Sequence, residues 1–288
     1  MKRSFVIALF VVIGAGCSKA GTGVSGASAV PSVTPTVLDG KTGQPVAATV
    51  SGSDDITVTA LGFFTLQTHA TPQVFLWPAD AYLSAAYTKA AIYGQKDPGT
   101  LYRMAPGVSV VGITVGAGFT DGPAAERLAT AAEVISAAGA LHYQVGIQGQ
   151  VQVSVYVDAN DPGFVTMPNA AALTYTQAAG DGIIRAAKVV FRSSGLGTFY
   201  SWDNLQHAAT HELGHTSGLN HLDPNGEQGI MSASAAAYSY LDFTDREKLV
   251  MKLQYIRRPG TMLSGTTENE FAVAGSSAGA TWHLVCAQ

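Results

Sequence analysis

The sequence predicts an α/β (α+β) domain preceded by a small all-β module, and three observations support this fold class. First, 288 residues with 47% hydrophobic content suffice for one large domain or two modest ones with a proper core. Second, residues 33–79 hold short β-branched runs divided by turn signals. Third, a strand, an Ala-rich helix and further strands follow from residue 108 onward, and this order is typical of an α/β layer.

The first seventeen residues have the pattern of an export signal. Two basic residues precede an apolar run, Phe5 to Ile13, which is too short to span a bilayer. The run ends in Gly14-Ala15-Gly16-Cys17, which resembles a bacterial lipobox except at its first position, where that motif usually has an aliphatic residue. Two outcomes stay open: lipidation of Cys17, or plain secretion with cleavage near Ala20 or Ala29. The protein is thus expected in the bacterial cell envelope as a lipoprotein, or outside the cell.

The pairing state of the second cysteine depends on whether Cys17 is lipidated. If Cys17 is lipidated, Cys286 has no partner, and a disulfide between the two requires an unmodified Cys17. Residues 18–32 are small, polar and rich in Gly and Ser, which predicts a flexible linker. A lipid anchor at Cys17 is the only membrane attachment that we expect.

The charge balance excludes one class of partner. Charged residues make up 12% of the chain and the net charge is −4, so no basic stripe is available to neutralise phosphates. We therefore expect no nucleic-acid partner, and we expect a monomer.

Residues 33–100 are predicted to form the β-module, which is β-sandwich-like. The stretch LDGKTGQPVAATVSG followed by TALGFFTL resembles the carboxypeptidase-regulatory-like β-sandwich repeats that accompany many secreted bacterial enzymes. The alternatives are an N-terminal extension of the following domain, or a propeptide. The predicted strands are Thr36–Leu38, Pro45–Val50, Ile56–Ala60 and Phe63–Gln67.

Residues 101–260 are predicted to form the larger domain. The alternation VSVVGITV from Val108 predicts a strand, and Asp121-Gly122-Pro123 is the start signal of a helix that reaches Ala138. A last helix begins at a Thr244 cap with acidic residues in its first turn. The elements predicted between these are strands Leu141–Val145, Val151–Val157, Ala171–Thr176 and Ala187–Arg192, and a helix from about Trp202 to Ser217.

That helix carries a metal-binding pattern. His211 and His215 are four residues apart, so their imidazoles project from one helical face and can bind one metal ion. Glu212 is offset by one residue, which suits a base that takes a proton from water at the metal's open position. Gly218 can adopt the positive φ that turns the chain back, so that His221 supplies a third imidazole. Three histidines and one water are the open arrangement of a catalytic Zn²⁺ site.

These residues resemble the metzincin metalloproteases, whose signature His-Glu-x-x-His-x-x-Gly-x-x-His is matched at all five fixed positions. The resemblance implies that Met231, in Gly-Ile-Met-Ser, is the Met-turn residue, an apolar floor beneath the metal. It also implies a mixed twisted sheet with one antiparallel edge strand, which Ala171–Thr176 would supply for pairing with an extended substrate. The order of elements is most similar to the matrixin branch. No cysteine lies in a propeptide-like context that would cap the zinc.

The expected function is a zinc-dependent endopeptidase that acts on an extended peptide or protein. The alternatives are a surface lipoprotein that binds a partner and has a weakly active zinc site, and a metallohydrolase for a non-peptide amide or ester. The sequence leaves open whether Ca²⁺ binds in addition to zinc, but it contains no complete calcium ligand loop. Residues 261–288 receive no assignment beyond one β-like run, Thr281 to Val285.

Overall fold

The computed structural model describes residues 34–79, 91, 99–139, 141–221, 228–232, 240–257, 259–263, 269–272 and 280–287. The export signal, Cys17 and the linker at 18–32 lie outside the described residues, so those predictions stay predictions. The strands are β1 Thr36–Asp39, β2 Thr49–Gly52, β3 Asp55–Thr59, β4 Thr65–His69, β5 Gln73–Leu76, β6 Gly99–Thr100, β7 Arg103–Met104, β8 Val110–Val115, β9 His142–Val145, β10 Val151–Val157, β11 Ala172–Ala178, β12 Ile183–Phe191, β13 Thr261–Leu263, β14 Asn269–Ala272 and β15 Thr281–Ala287.

Four helices lie within the described part of the chain. They are α1 Gly122–Ala138, α2 Gly163–Thr166, α3 Trp202–Thr216 and α4 Asp245–Ile256. Three of them fall where the sequence predicts helices, and the fourth, α2, is a single turn. None of the helices in these ranges is long and apolar enough to cross a bilayer.

A seven-stranded mixed sheet forms the larger part of the fold, which confirms the α/β class. Its strand order is β15-β11-β12-β10-β8-β9, and β7 pairs beside β12. Strands β9, β8, β10 and β12 run parallel to one another, whereas β11 runs antiparallel to β12.

The predicted edge position of β11 is wrong in one respect. The metzincin resemblance implies that Ala171–Thr176 is the free edge of the sheet, but β15 pairs antiparallel with the outer side of β11. The edge is covered because the β-forming run that begins at Thr281 needs a partner for its backbone hydrogen bonds and finds it in β11. Strand β11 is therefore antiparallel and internal.

Helices α1 and α3 pack against each other and against one face of this sheet. Their contact layer is the main apolar core, and it positions α3 across β11 and β12. Representative core residues are Val111, Ile113, Val153, Val155 and Val189 from the sheet, Leu128 and Ile135 from α1, and Leu205 and Leu213 from α3.

The N-terminal strands form further sheets with an apolar cluster of their own. Strands β1 and β5 pair in parallel, and β2, β3 and β4 form an antiparallel meander. The meander continues through β14 and β13 to β6, so its sheet is completed by residues 261–263 and 269–272. The clustered residues are Val37, Ile56, Val58, Leu66, Val74 and Leu76. The division at residue 100 stays a prediction.

Candidate metal centre

Helix α3 lies in the interior of the protein and contains the predicted site residues His211, Glu212 and His215. Its start is fixed by Ser201, whose hydroxyl oxygen accepts a hydrogen bond from the Asn204 N–H at 3.1 Å. Every residue from Leu205 to Thr216 is buried, including the polar ones. Buried polar atoms need hydrogen-bond partners. Neighbouring segments supply these partners to the ring nitrogens of His211 and His215.

A tight turn at Gly218 ends the helix and reverses the chain. The Gly218 N–H donates to the His215 carbonyl at 3.0 Å, and the Leu219 N–H donates to the Gly214 carbonyl at 3.3 Å. Gly218 has φ +99°, and a Cβ atom there would lie 2.0 Å from the Tyr102 carbonyl oxygen. Only glycine tolerates both conditions, and the turn brings His221 back to the helix.

The ring nitrogens of the three predicted ligands converge on one point. The Nε2 atom of His211 lies 2.9 Å from that of His215 and 3.2 Å from that of His221. The ligand atoms of all three residues lie within 4.8 Å of one another. Zinc–nitrogen bonds of about 2.0–2.1 Å in a tetrahedral site place the nitrogens roughly 3.4 Å apart. This spacing suits a single metal ion.

The hydrogen bonds of two imidazoles fix their tautomers. The Nδ1 atom of His211 lies 2.6 Å from the Ile230 carbonyl oxygen, and that of His215 lies 2.6 Å from the Leu219 carbonyl oxygen. Carbonyl oxygens only accept, so both Nδ1 atoms carry the proton and donate it, and each neutral ring keeps a lone pair on Nε2. Two lone pairs 2.9 Å apart repel each other unless they share a cation. This pattern prepares both nitrogens for a metal ion.

Burial keeps all three imidazoles neutral. It lowers the pKa of His221 to about 4 and, with the neighbouring charge of His221, that of His215 to about 3. Burial and the two neighbouring rings also hold the pKa of His211 well below its usual value. The neutral imidazole is the form that binds a metal ion.

Glu212 is buried beside the histidines, and a residue of the sheet donates a hydrogen bond to its carboxylate. Thr174 of β11 donates its hydroxyl to Glu212 Oε2. The other carboxylate oxygen, Oε1, is buried and has no hydrogen-bond partner among the described residues. Burial raises the pKa of Glu212 to about 8, and the hydrogen bond from Thr174 acts in the opposite direction. A buried carboxyl group with one oriented oxygen and one unbonded oxygen can act as a proton acceptor and donor.

Met231 packs against the helix at Gly214, between the first two histidines. The methionine is 1% exposed, and a Cβ atom on Gly214 would lie 2.5 Å from its Sδ atom. The thioether thus fills the space that the missing side chain of Gly214 leaves. This contact places an apolar surface against the helix segment that carries the ligands.

Replacing Gly214 with alanine is expected to lower the free energy of unfolding by about 1–2 kcal/mol, because the new Cβ displaces Met231. In a Met231→Ala background the same replacement should instead raise it by about 1 kcal/mol, the helix-propensity gain of alanine over glycine. Urea denaturation of the four proteins checks this. Gly139→Ala is the matched control, since a Cβ there meets no atom closer than 3.5 Å. The same sign in both backgrounds would contradict the packing account.

Glu247 is a site residue that the sequence analysis missed. It is 1% exposed, and its Oε1 atom accepts the Met231 N–H at 2.8 Å. Its Oε2 atom accepts the Thr244 N–H at 2.7 Å and the Thr244 hydroxyl at 2.9 Å. The carboxylate therefore ties the start of α4 to the turn that supplies the Ile230 carbonyl to His211. The Thr-x-x-Glu spacing of a capping box was the signal that could have found it.

Replacing Glu247 with alanine is expected to lower the free energy of unfolding by about 2–4 kcal/mol, since three donors lose their acceptor. Affinity for zinc should fall about 10–100-fold, because the carbonyl that orients His211 is no longer held. Urea denaturation and competition with a zinc-binding dye measure the two effects. The neighbouring, exposed Asp245 provides the control, as Asp245→Ala should change stability by less than about 1 kcal/mol. An unchanged zinc affinity would refute the positioning role.

Further histidines lie outside this cluster. His207 is buried one turn before His211, and its Nδ1 atom lies 2.7 Å from the Tyr240 carbonyl oxygen. Burial lowers the pKa of His207. His142 and His283 are exposed, on β9 and β15. The structure thus brings together His211, Glu212, His215 and His221 with Met231, and leaves the exposed histidines outside the centre.

Comparison with known proteins adds no family assignment. No protein-family model matches this chain, and no curated protein matches it.

Proposed function

We propose that this protein is a zinc-dependent endopeptidase with a metzincin-like catalytic domain. The observation that carries the proposal is the convergence of three neutral imidazole nitrogens beside a buried carboxylate with an unbonded oxygen. The donor set of three nitrogens suits zinc and leaves one coordination position open, as in catalytic sites. The order of parallel strands, antiparallel β11 and helix α3 supports the metzincin resemblance that the signature suggests.

Each residue has a distinct task in the proposed reaction. A bound zinc ion would polarise the scissile carbonyl and lower the pKa of a nearby water molecule to about 7. Glu212, whose ionised form would be favoured by the positive charge of a bound zinc ion, accepts a proton at Oε1 and passes it to the leaving amine. The hydrogen bond from Thr174 to Oε2 orients the carboxylate and leaves Oε1 unbonded. Burial of His211 and His215 in the helix keeps both imidazoles in the neutral form that binds a metal ion.

One observation favours a second candidate function. The outer edge of β11 is paired with β15, so no free edge of β11 is offered to a peptide in this structure. A compact amide or ester of the cell wall needs no such edge, and a non-peptide metallohydrolase is therefore the alternative. The export signal suits either substrate, as does the proposed attachment through Cys17.

The test is a screen of the soluble protein, from Lys19 onward, against a quenched-peptide library and a panel of cell-wall amides and esters. Metal content is measured on the same sample. The proposal expects one zinc ion per chain and cleavage within peptides. Cleavage of the amides or esters alone would support the alternative. A zinc-loaded protein that cleaves neither class, both as the full soluble chain and as a chain ending at Ala280, would refute both.

A further inference from the structure

Strand β15 covers the side of β11 that faces away from β12, beside the candidate metal centre. The two strands pair antiparallel from Ala178 opposite Thr281 to Leu173 opposite Ala287. In this register the backbone of residue 286 lies opposite Thr174, whose hydroxyl contacts the Glu212 carboxylate. Strand β15 also contacts helix α3. The C-terminal main chain therefore runs close to the residue proposed as the base.

The side chains at the start of β15 bury little surface, so backbone pairing with β11 is the main contact of residues 281–283. Thr281, Trp282 and His283 are exposed, Trp282 by 48%. Leu284 is half-buried and packs on the apolar cluster that includes Leu173. Main-chain hydrogen bonds do not depend on sequence, so another extended peptide can form the same ladder on β11.

A strand has two edges, and each edge holds one neighbour at a time. One edge of β11 is used by β12 inside the sheet. The other edge is the one at which a further strand, such as an extended peptide, could add to β11, and β15 occupies it. A peptide substrate and β15 therefore compete for the same backbone groups.

We propose that β15 is an autoinhibitory strand, a built-in occupant of the peptide-binding edge that an extended peptide substrate must displace. This inference rests on the proposed endopeptidase function. The strand would regulate that site. The protein is latent while Thr281–Ala287 is paired, and the edge of β11 becomes accessible to a peptide when the strand leaves or is removed. A strand that is docked about 90% of the time lowers the apparent affinity for a competing peptide about tenfold.

A reversible lock in the full-length soluble chain tests this directly. Gln177 and Trp282 lie opposite each other in the register, at a separation that a disulfide can bridge. The variant carries Gln177→Cys, Trp282→Cys and Cys286→Ser, with Glu212→Gln to prevent cleavage of the probe. The probe is a fluorescein-labelled peptide with the sequence of residues 280–287 and serine for cysteine, and its binding is followed by fluorescence anisotropy.

The reduced variant is expected to bind the probe, and the oxidised variant to bind it at least about tenfold more weakly. A control lock between Thr49 and Thr59, which are exposed partners in β2 and β3, should leave binding unchanged on oxidation. Equal binding in both states of the β15 lock would overturn the inference, and so would a lack of binding in the reduced state.

Two further measurements separate the inference from the function on which it rests. Both use Glu212 in its native form. If the library peptides are cleaved at the same rate by the locked and the reduced variant, the endopeptidase stands and the inhibitory strand is refuted. If the probe binds only the reduced variant but no peptide is ever cleaved, the strand is displaceable and the proposed reaction is wrong.

A chain that ends at Ala280 gives an independent check. It is expected to cleave peptides about tenfold faster than the full chain at low substrate concentration, and added β15 peptide should inhibit it. A folded truncated protein without this gain would overturn the inference. If the truncated protein fails to fold, the disulfide lock decides.

Discussion

Replacing Glu212 with glutamine is expected to lower peptide hydrolysis by about 10²–10⁴-fold, the usual contribution of a positioned proton-transfer group. Glutamine keeps the shape of the side chain and can still accept the Thr174 hydroxyl, but it cannot take up a proton. The three imidazoles are untouched, so zinc content should stay at one ion per chain. Initial rates on the best library peptide and metal analysis of the same preparation measure both quantities.

The matched control for this variant is Glu133→Gln. Glu133 lies on the exposed face of α1, and its replacement should change neither rate nor metal content. A Glu212→Gln protein that retains most of the activity would show that Glu212 does not transfer the proton. A Glu212→Gln protein that loses zinc would show that the carboxylate holds the metal.

Loss of one imidazole is expected to have the second large effect. Replacing His215 with alanine removes one of three ligands and leaves the Leu219 carbonyl without its donor. Zinc at about 100 times its dissociation constant stabilises the native protein by about 2.7 kcal/mol, and this gain should vanish in the variant. Activity should vanish with it. Thermal unfolding with and without added zinc measures the gain.

The exposed His142 is the control for non-specific effects of removing a histidine. His142→Ala should keep the full zinc-dependent stabilisation, because its side chain lies on β9, outside the centre. Zinc-dependent stabilisation of His215→Ala equal to that of the wild type would mean that the metal is bound elsewhere. The same variant with normal peptide cleavage would exclude a zinc reaction at this site.

Much of the candidate site could be predicted from local sequence. The spacing of His211 and His215 on one helical face is set by helix geometry alone, and the conformation at Gly218 follows from the absence of a side chain. These two facts are enough to bring His221 to the helix. The roles of zinc and of Glu212 stay predictions until they are measured.

The contacts that support the site were harder to predict. The spacing of Thr244 and Glu247 indicates a capping box, but it does not show the turn at Met231 that the same carboxylate reaches. The pairing of β15 with β11 was missed for a related reason. An alternating run predicts a strand, yet its hydrogen bonds run to the main chain of a partner that its own residues do not specify.

The sheet of the N-terminal strands sets an order of folding. Strand β4 pairs in parallel with β14, so Thr65 lies opposite Asn269, near the other end of the chain. Contacts between such distant positions form slowly, since a long loop must close before they contribute stability. A chain synthesised or exported from its N-terminus therefore carries β4 with one open edge until its last tenth emerges. Completion of this sheet only after residues 269–272 are available is the order of folding that this topology favours.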